Sequence, residues 1–328
     1  MVNLPETYFA RKLLVDSIET IRLADTAHRI EMSICPSIGN IGYDLRVNGQ
    51  PILMAPPGSL ADWQQKPAQA GIPFLAPWAN RLDADAYWAN GKRYLLNPDA
   101  VDIRRDANGL PIHGLLLFAS AWQVMRVAAT PEFAEVTSRL EFWKHPQWMA
   151  QFPFAHTIEM THRLSGGVLE VRTTIENHST APMPLIIGFH PWYQIPGIPR
   201  DRWQVRLPVR EHYALSPQLI PTGETSSVAF PDTIPLAGRQ LDDVFGGVDS
   251  NSDFELEAQG RKIAVRFGPK FPIAIVYAPH GRDVVCFEPM TGLTNGFNLA
   301  HQGLFRNLQS VPAGGIWTES FWVRPSGF

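Results

Sequence analysis

The chain has 328 residues, 45% of them hydrophobic and 18% charged, which fits a globular protein able to bury a large core and excludes long disordered arms. A net charge of −3 supplies no basic field, so a nucleic-acid partner is not expected. No apolar run of about 18 residues or more is present to cross a membrane as a helix, and two cysteines, Cys35 and Cys286, make no disulfide framework. Both cysteines sit in apolar surroundings and read as small buried hydrophobes. Met1 to Asp16 has no apolar core followed by small residues, so no leader is expected and a reduced cytoplasmic setting is the default.

The 29 scattered prolines leave little room for long helices. From Glu19 to Met32, Ile21, Leu23, Ile30 and Met32 alternate onto one face around a turn at Asp25-Thr26-Ala27, which predicts paired strands. Cys35 to Val47 is a further apolar–polar stretch, broken by Pro36, Gly39 and Gly42. Asn48-Gly49 and Asn90-Gly91 are tight-turn signals, each followed by a short apolar run. Between them, Gly71 to Leu82 is apolar and proline-broken yet ends in Asn80-Arg81. That arginine either caps a carbonyl-rich corner or points into a pocket. Ile112-His113-Gly114 places a histidine before another apolar run.

Trp122–Val127 and Glu135–Phe142 alternate as strands. Ala155–Leu164 and Leu169–Ile175 do so too, joined by Gly166-Gly167, with His156 and His162 sharing a face and charged partners expected nearby. Leu185–Phe189 reads as one short buried strand bounded by prolines. Pro191 holds the preceding His190 in extended backbone at its end. His145-Pro146 repeats the dipeptide elsewhere, so His-Pro alone is no signature. Trp203–Leu207 is a further strand. The acids of Leu241-Asp242-Asp243-Val244-Phe245 suit either a turn or hydroxyl acceptors. Phe254–Leu256, Lys262–Phe267, Ile273–Tyr277 and Ile316–Val323 complete the strands. Asp283–Glu288 is again an apolar run that ends in an ionisable residue before proline, with Glu288 on the face of Cys286 and Val284. The loop Gly292–Asn298 lies beyond it.

Many short strands without an amphipathic helix predict an all-β sandwich. No repeat or linker divides the chain, so residues 1–328 are expected to form one domain. Nucleotide and P-loop glycine patterns, the Gly-x-Ser-x-Gly elbow and metal-ligand spacings are absent, and neither cofactor nor metal is expected.

Glu288 and His190 are the residues most suited to chemistry. A carboxylate at the end of a buried strand is costly unless paired or used, and with an imidazole it makes an acid/base pair if the two strand ends meet. Asn80-Arg81, His113-Gly114, Gly188-Phe189-His190-Pro191-Trp192, Leu241-Asp242-Asp243-Val244-Phe245 and Glu288-Pro289, in this order, resemble the aldose 1-epimerase (galactose mutarotase) family over roughly residues 20 to 323. The resemblance implies a β-supersandwich of the galactose mutarotase type. It implies Glu288 as general base, His190 as general acid, and Arg81, His113, Asp242 and Asn80 as substrate-binding residues. Asp242 rather than Asp243 takes that part, because the family's aspartate stands three residues before a phenylalanine, here Phe245. Trp192 departs from the tyrosine often found after His-Pro and alters the pocket wall.

Mutarotation opens a hemiacetal, turns the aldehyde and recloses it. One proton leaves the anomeric hydroxyl and one reaches the ring oxygen, which suits an ionised Glu288 and a protonated His190 whose pKa the carboxylate raises. The expected partner is a small free aldose, acted on by a monomer or homodimer. A hexose 6-phosphate is the alternative substrate, for which Arg104-Arg105 and Arg200/Arg202 are phosphate candidates. A sugar-binding module without catalysis is the other reading.

Overall fold

Residues 7–328 are described by a computed structural model. The first six residues, part of the stretch in which no leader is expected, lie outside that description.

Three antiparallel sheets dominate. The first runs in chain order through Tyr8–Val15, Ile18–Asp25, Ile30–Cys35, Ile41–Val47 and Gln50–Pro51. A nine-stranded sheet carries Val168–Asn177 and Ile316–Ser326 at its centre and ends on Ile234–Pro235 and Gln123–Ala129. A seven-stranded sheet is ordered Pro221–Ser227, Glu211–Leu215, Leu241–Gly246, Ile273–Ala278, Cys286–Met290, Gly188–Phe189 and Phe74–Leu75. The nine-stranded sheet packs on both of the others. His156–Ser165 and Ala134–Glu141 lie against Ile18–Asp25. Phe321 meets Phe189 with ring centroids 4.9 Å apart, and Phe254 meets Phe287 at 5.5 Å. Residues from Tyr8 to Val323 share one buried apolar cluster.

The turns follow local chemistry. Asn48-Gly49 and Asn90-Gly91 are two-residue hairpin loops with both residues in the left-handed region, the conformation that Asn-Gly favours. The α-helices among the described residues are six residues long, the last being Gly296–His301, so the stretch expected as a loop to Asn298 turns helical at its end.

Three expectations need correction. The run Leu185–Phe189 is not one strand: Met183–Leu185 pairs with Gln309–Val311, while Gly188–Phe189 belongs to the seven-stranded sheet. The break is stable because its backbone finds other partners. The Ile186 carbonyl accepts from Ala79 N–H at 2.8 Å, and Ile187 N–H donates to Thr291 Oγ1 at 2.8 Å. Leu241–Gly246 is a strand rather than a turn, because both its edges are paired. His156 and His162 do share a face, but it is the core face. His156 Nδ1 lies 2.6 Å from the Phe154 carbonyl, and neither ring nitrogen of His162 has a partner.

Candidate active site

Glu288 lies in the middle of Cys286–Met290, not at a strand end as the proline suggested. Its neighbours are Ile273–Ala278, with Glu288 opposite Ile275, and Gly188–Phe189, with Met290 opposite Gly188. Two residues back along one antiparallel strand face two residues on along the other. That register carries His190 to the place opposite Glu288, and the side chains touch: His190 Nε2 is 3.1 Å from Glu288 Oε1. The next row on the same face is Asp242 opposite Tyr277 and Tyr277 opposite Cys286, closed by Trp192, whose ring centroid is 5.8 Å from that of Tyr277.

The segment after Phe189 is sewn down on several sides. His190 N–H donates to the Pro73 carbonyl at 3.0 Å, Trp192 N–H to Gly71 at 2.9 Å and Tyr193 N–H to Val285 at 2.9 Å. The His190 ring stacks on Trp192, with centroids 4.7 Å apart and an interplanar angle of 12°. The Arg282 guanidinium lies 4.9 Å above the other ring system partner, Trp192. Trp192 therefore lies flat against the imidazole.

The second side comes from two crossing loops. Arg81 is bridged to Ile112, and His113 N–H donates to the Asn80 carbonyl at 2.9 Å. The His113 ring stands edge-on to His190 with centroids 5.6 Å apart. Asn80 (φ 58°) and His113 (φ 65°) both hold left-handed backbone, a strain that persists where surrounding structure dictates the conformation. Gly114 follows at φ 69°; a Cβ there would lie 2.1 Å from the Ala76 carbonyl oxygen, so only glycine lets the loops cross this closely. Arg81 Nε donates to Asp106 at 2.7 Å, and its Nη1 donates to Asn80 Oδ1 at 3.0 Å. Asn80 thus orients Arg81 with its side-chain oxygen. Asp242 is the acid on the site face, while Asp243 lies 2.8 Å from His212 Nε2.

Sequence reading missed Asp106, Asn295 and Thr291. Asn295 N–H donates to the Arg81 carbonyl at 2.8 Å, and Asn295 Oδ1 accepts from Asp83 N–H at 3.2 Å. The loop following Glu288 therefore holds both Arg81 and the backbone leading to His190. The only local signal was its Thr-Gly-Leu-Thr-Asn-Gly composition. Two of the four phosphate candidates are differently employed: Arg105 binds Asp85 and the Gly109 carbonyl, and Arg200 is buried on the carbonyls of Leu236, Arg239 and Ala278; Arg104 lies over the Phe118 ring.

Burial sets the protonation. It raises the Glu288 carboxyl well above its ordinary range, with Asp242 adding to the rise and Arg81 opposing it. It pulls the His190 imidazole down to about 3, with the charges of Arg282 and Arg81 acting in the same direction. The expected rise of the histidine is overturned, because desolvation disfavours charge on both groups. Burial therefore disfavours the ion pair relative to a neutral acid beside a neutral imidazole. The two states differ only by one proton moved across the 3.1 Å contact. Burial also lowers His113, with His190, Arg81 and Arg104 adding to it. The Asp242 carboxyl is raised by burial, against the pull of Arg81.

Several buried polar atoms here have no protein partner: His113 Nδ1, His190 Nδ1, Glu288 Oε2 and Trp192 Nε1. Buried polar groups are otherwise almost always paired. A ligand dense in hydroxyl groups, each both donor and acceptor, could satisfy such a set.

Comparison with known proteins gives three findings. A family model described as aldose 1-epimerase matches residues 34–323. No curated protein matches the sequence. Solved structures share the fold across nearly the whole chain. A galactose mutarotase-like protein from Clostridium acetobutylicum has a TM-score of 0.86 at 19% identity, covering 98% of this chain and 99% of its own. Galactose 1-epimerase from Lactobacillus acidophilus gives 0.76 at 12% identity, with 97% and 99% covered. The GalM/aldose epimerase homologue from C. elegans gives 0.72 at 16% identity, with 91% and 96% covered.

Proposed function

The chain belongs to the aldose 1-epimerase family, and from that premise we propose that it interconverts the α and β anomers of a free aldose by acid/base ring opening and closure. The observation that carries this reading is the 3.1 Å contact between His190 Nε2 and Glu288 Oε1. The hydroxyl oxygen O1 and ring oxygen O5 of an aldose are both bonded to C1. Two groups that touch each other can therefore serve both oxygens from one side, without the sugar lying between them.

In the forward direction, carboxylate Glu288 takes the O1 proton while imidazolium His190 gives one to O5. The C1–O5 bond breaks and C1 becomes an aldehyde. The pair is left as a neutral acid and a neutral imidazole, the state that burial favours. After rotation about the C1–C2 bond, the same two protons return and the ring closes on either face. Burial thus drives the proton transfers of ring opening forward, while forming the ion pair that begins them carries a cost of the same origin. Arg81, His113 and Asp242 read ring hydroxyls, and Asn80 holds Arg81. Of the four arginines considered for a hexose 6-phosphate, Arg105 and Arg200 are occupied by the protein's own oxygens. Arg104 lies over the Phe118 ring and keeps its guanidinium N–H groups available, so polarimetry is run on both free and 6-phosphorylated sugar.

Polarimetry of freshly dissolved α-aldoses tests the reading. Wild type should accelerate equilibration, and Glu288→Gln or His190→Asn should each slow it by about 10²–10⁴-fold. Equal rates for wild type, both variants and buffer across several aldoses would remove the enzyme reading. Sugar binding without anomer exchange would leave a binding module.

A further inference from the structure

We propose that Cys286, His190 and Glu288 form a binding site for a thiophilic divalent cation such as Zn2+, which competes with the sugar and switches the enzyme off. The inhibition rests on the acid/base reading above; the cation site does not.

The three residues are buried, and one ligand atom from each lies within 4.8 Å of the others. Thiolate, imidazole and carboxylate are the ligand types that zinc takes, and three protein ligands leave a fourth position for water. The thiolate favours zinc over magnesium or calcium. No spacing motif announces the set. Cys286 and Glu288 share a strand face, and His190 arrives from the neighbouring strand by register. Glu288 Oε2 is buried without a partner, so the carboxylate has an oxygen free to take a metal.

The surrounding charges are mixed. Asp242 adds negative charge beside Glu288, while Arg81 and Arg282 oppose a cation. Binding replaces protons rather than adding net charge alone: the Cys286 thiol loses its proton, and so does the pair His190–Glu288. The proton that catalysis moves between nitrogen and oxygen is then gone, and the imidazole and carboxylate are both held by the metal. Cys286 itself takes no part in moving that proton.

The test uses the full chain stripped with a chelator. Co2+ titrated into wild type should give the near-ultraviolet charge-transfer absorption of a cobalt thiolate, and saturating aldose should weaken it. Cys286→Ser and Cys286→Ala should lose that absorption, while Cys35→Ser keeps it. With chelator present, both Cys286 variants should retain anomer exchange, and the Zn2+ needed for half-inhibition should rise by about tenfold or more. Absence of the thiolate band in wild type overturns the site. So does equal Zn2+ sensitivity of wild type and Cys286→Ser, provided the thermal midpoint in chelator shows the variant folded. A Cys286-dependent band in a protein that never accelerates anomer exchange would leave the cation site standing and remove the enzyme reading instead.

Discussion

At the scale of single residues, Arg81 depends on Asp106. Their contact is largely shielded from solvent, with side-chain exposures of 15% and 7%. Burial works to raise the Asp106 carboxyl, but Arg81 and the N–H groups of Leu110 and Asn108 outweigh it and hold the group below its ordinary value. The acid therefore stays ionised and fixes the guanidinium plane that Asn80 also grips. A hydrogen bond to a charged group contributes about 1.5–3 kcal/mol. Loss of this one in Asp106→Ala should raise KM by about 10–100-fold, with a smaller change in kcat. Glu288→Gln should show the opposite split, falling chiefly in kcat. Initial rates over a range of aldose concentrations separate the two.

At the scale of elements, the site depends on how closely Gly188–Phe189 approaches Cys286–Met290. A Cβ on Gly188 would lie 2.0 Å from Met290 Sδ and 2.8 Å from the Pro289 carbonyl oxygen. The methionine tip can move, but the strand backbone cannot. Gly188→Ala should cost about 1–3 kcal/mol of stability by overpacking, read as a lower urea midpoint. It should also depress activity, because His190 stands two residues further along and takes its place opposite Glu288 from this pairing. The same element explains why the apolar run was misread as one strand. Its hydrophobicity was plain, but Ile186 and Ile187 give their backbone groups to Ala79 and Thr291, partners too distant in sequence for periodicity to reveal.

At the scale of the whole molecule, burying neutral histidines makes the sandwich sensitive to acid. His162 and His156 are pulled down to about 4 by burial, His156 against an opposing backbone hydrogen bond. An unfolded histidine titrates near 6.5. Between those values the unfolded chain binds more protons than the folded one, so stability is full above about 6.5 and falls as pH drops towards 4. Each histidine should account for on the order of 3 kcal/mol over that window. The His162 ring makes no hydrogen bond, so His162→Leu should be neutral or stabilising at pH 7.5. It should also remove its share of the acid loss. Urea unfolding of wild type and variant at pH 7.5 and pH 5 measures the difference directly.

The alternation of apolar residues and the Asn-Gly turns were enough to specify strands and tight hairpins, because both depend on contacts a few residues apart. The ordered pieces around Asn80-Arg81, His113-Gly114, His190, Asp242 and Glu288 were enough to indicate the family. Only the folded sheet decided that Glu288 stands mid-strand, that His190 touches it, and that both favour the neutral state. Those outcomes follow from register between strands remote in sequence and from the loss of water around them, and neither is encoded in any local spacing.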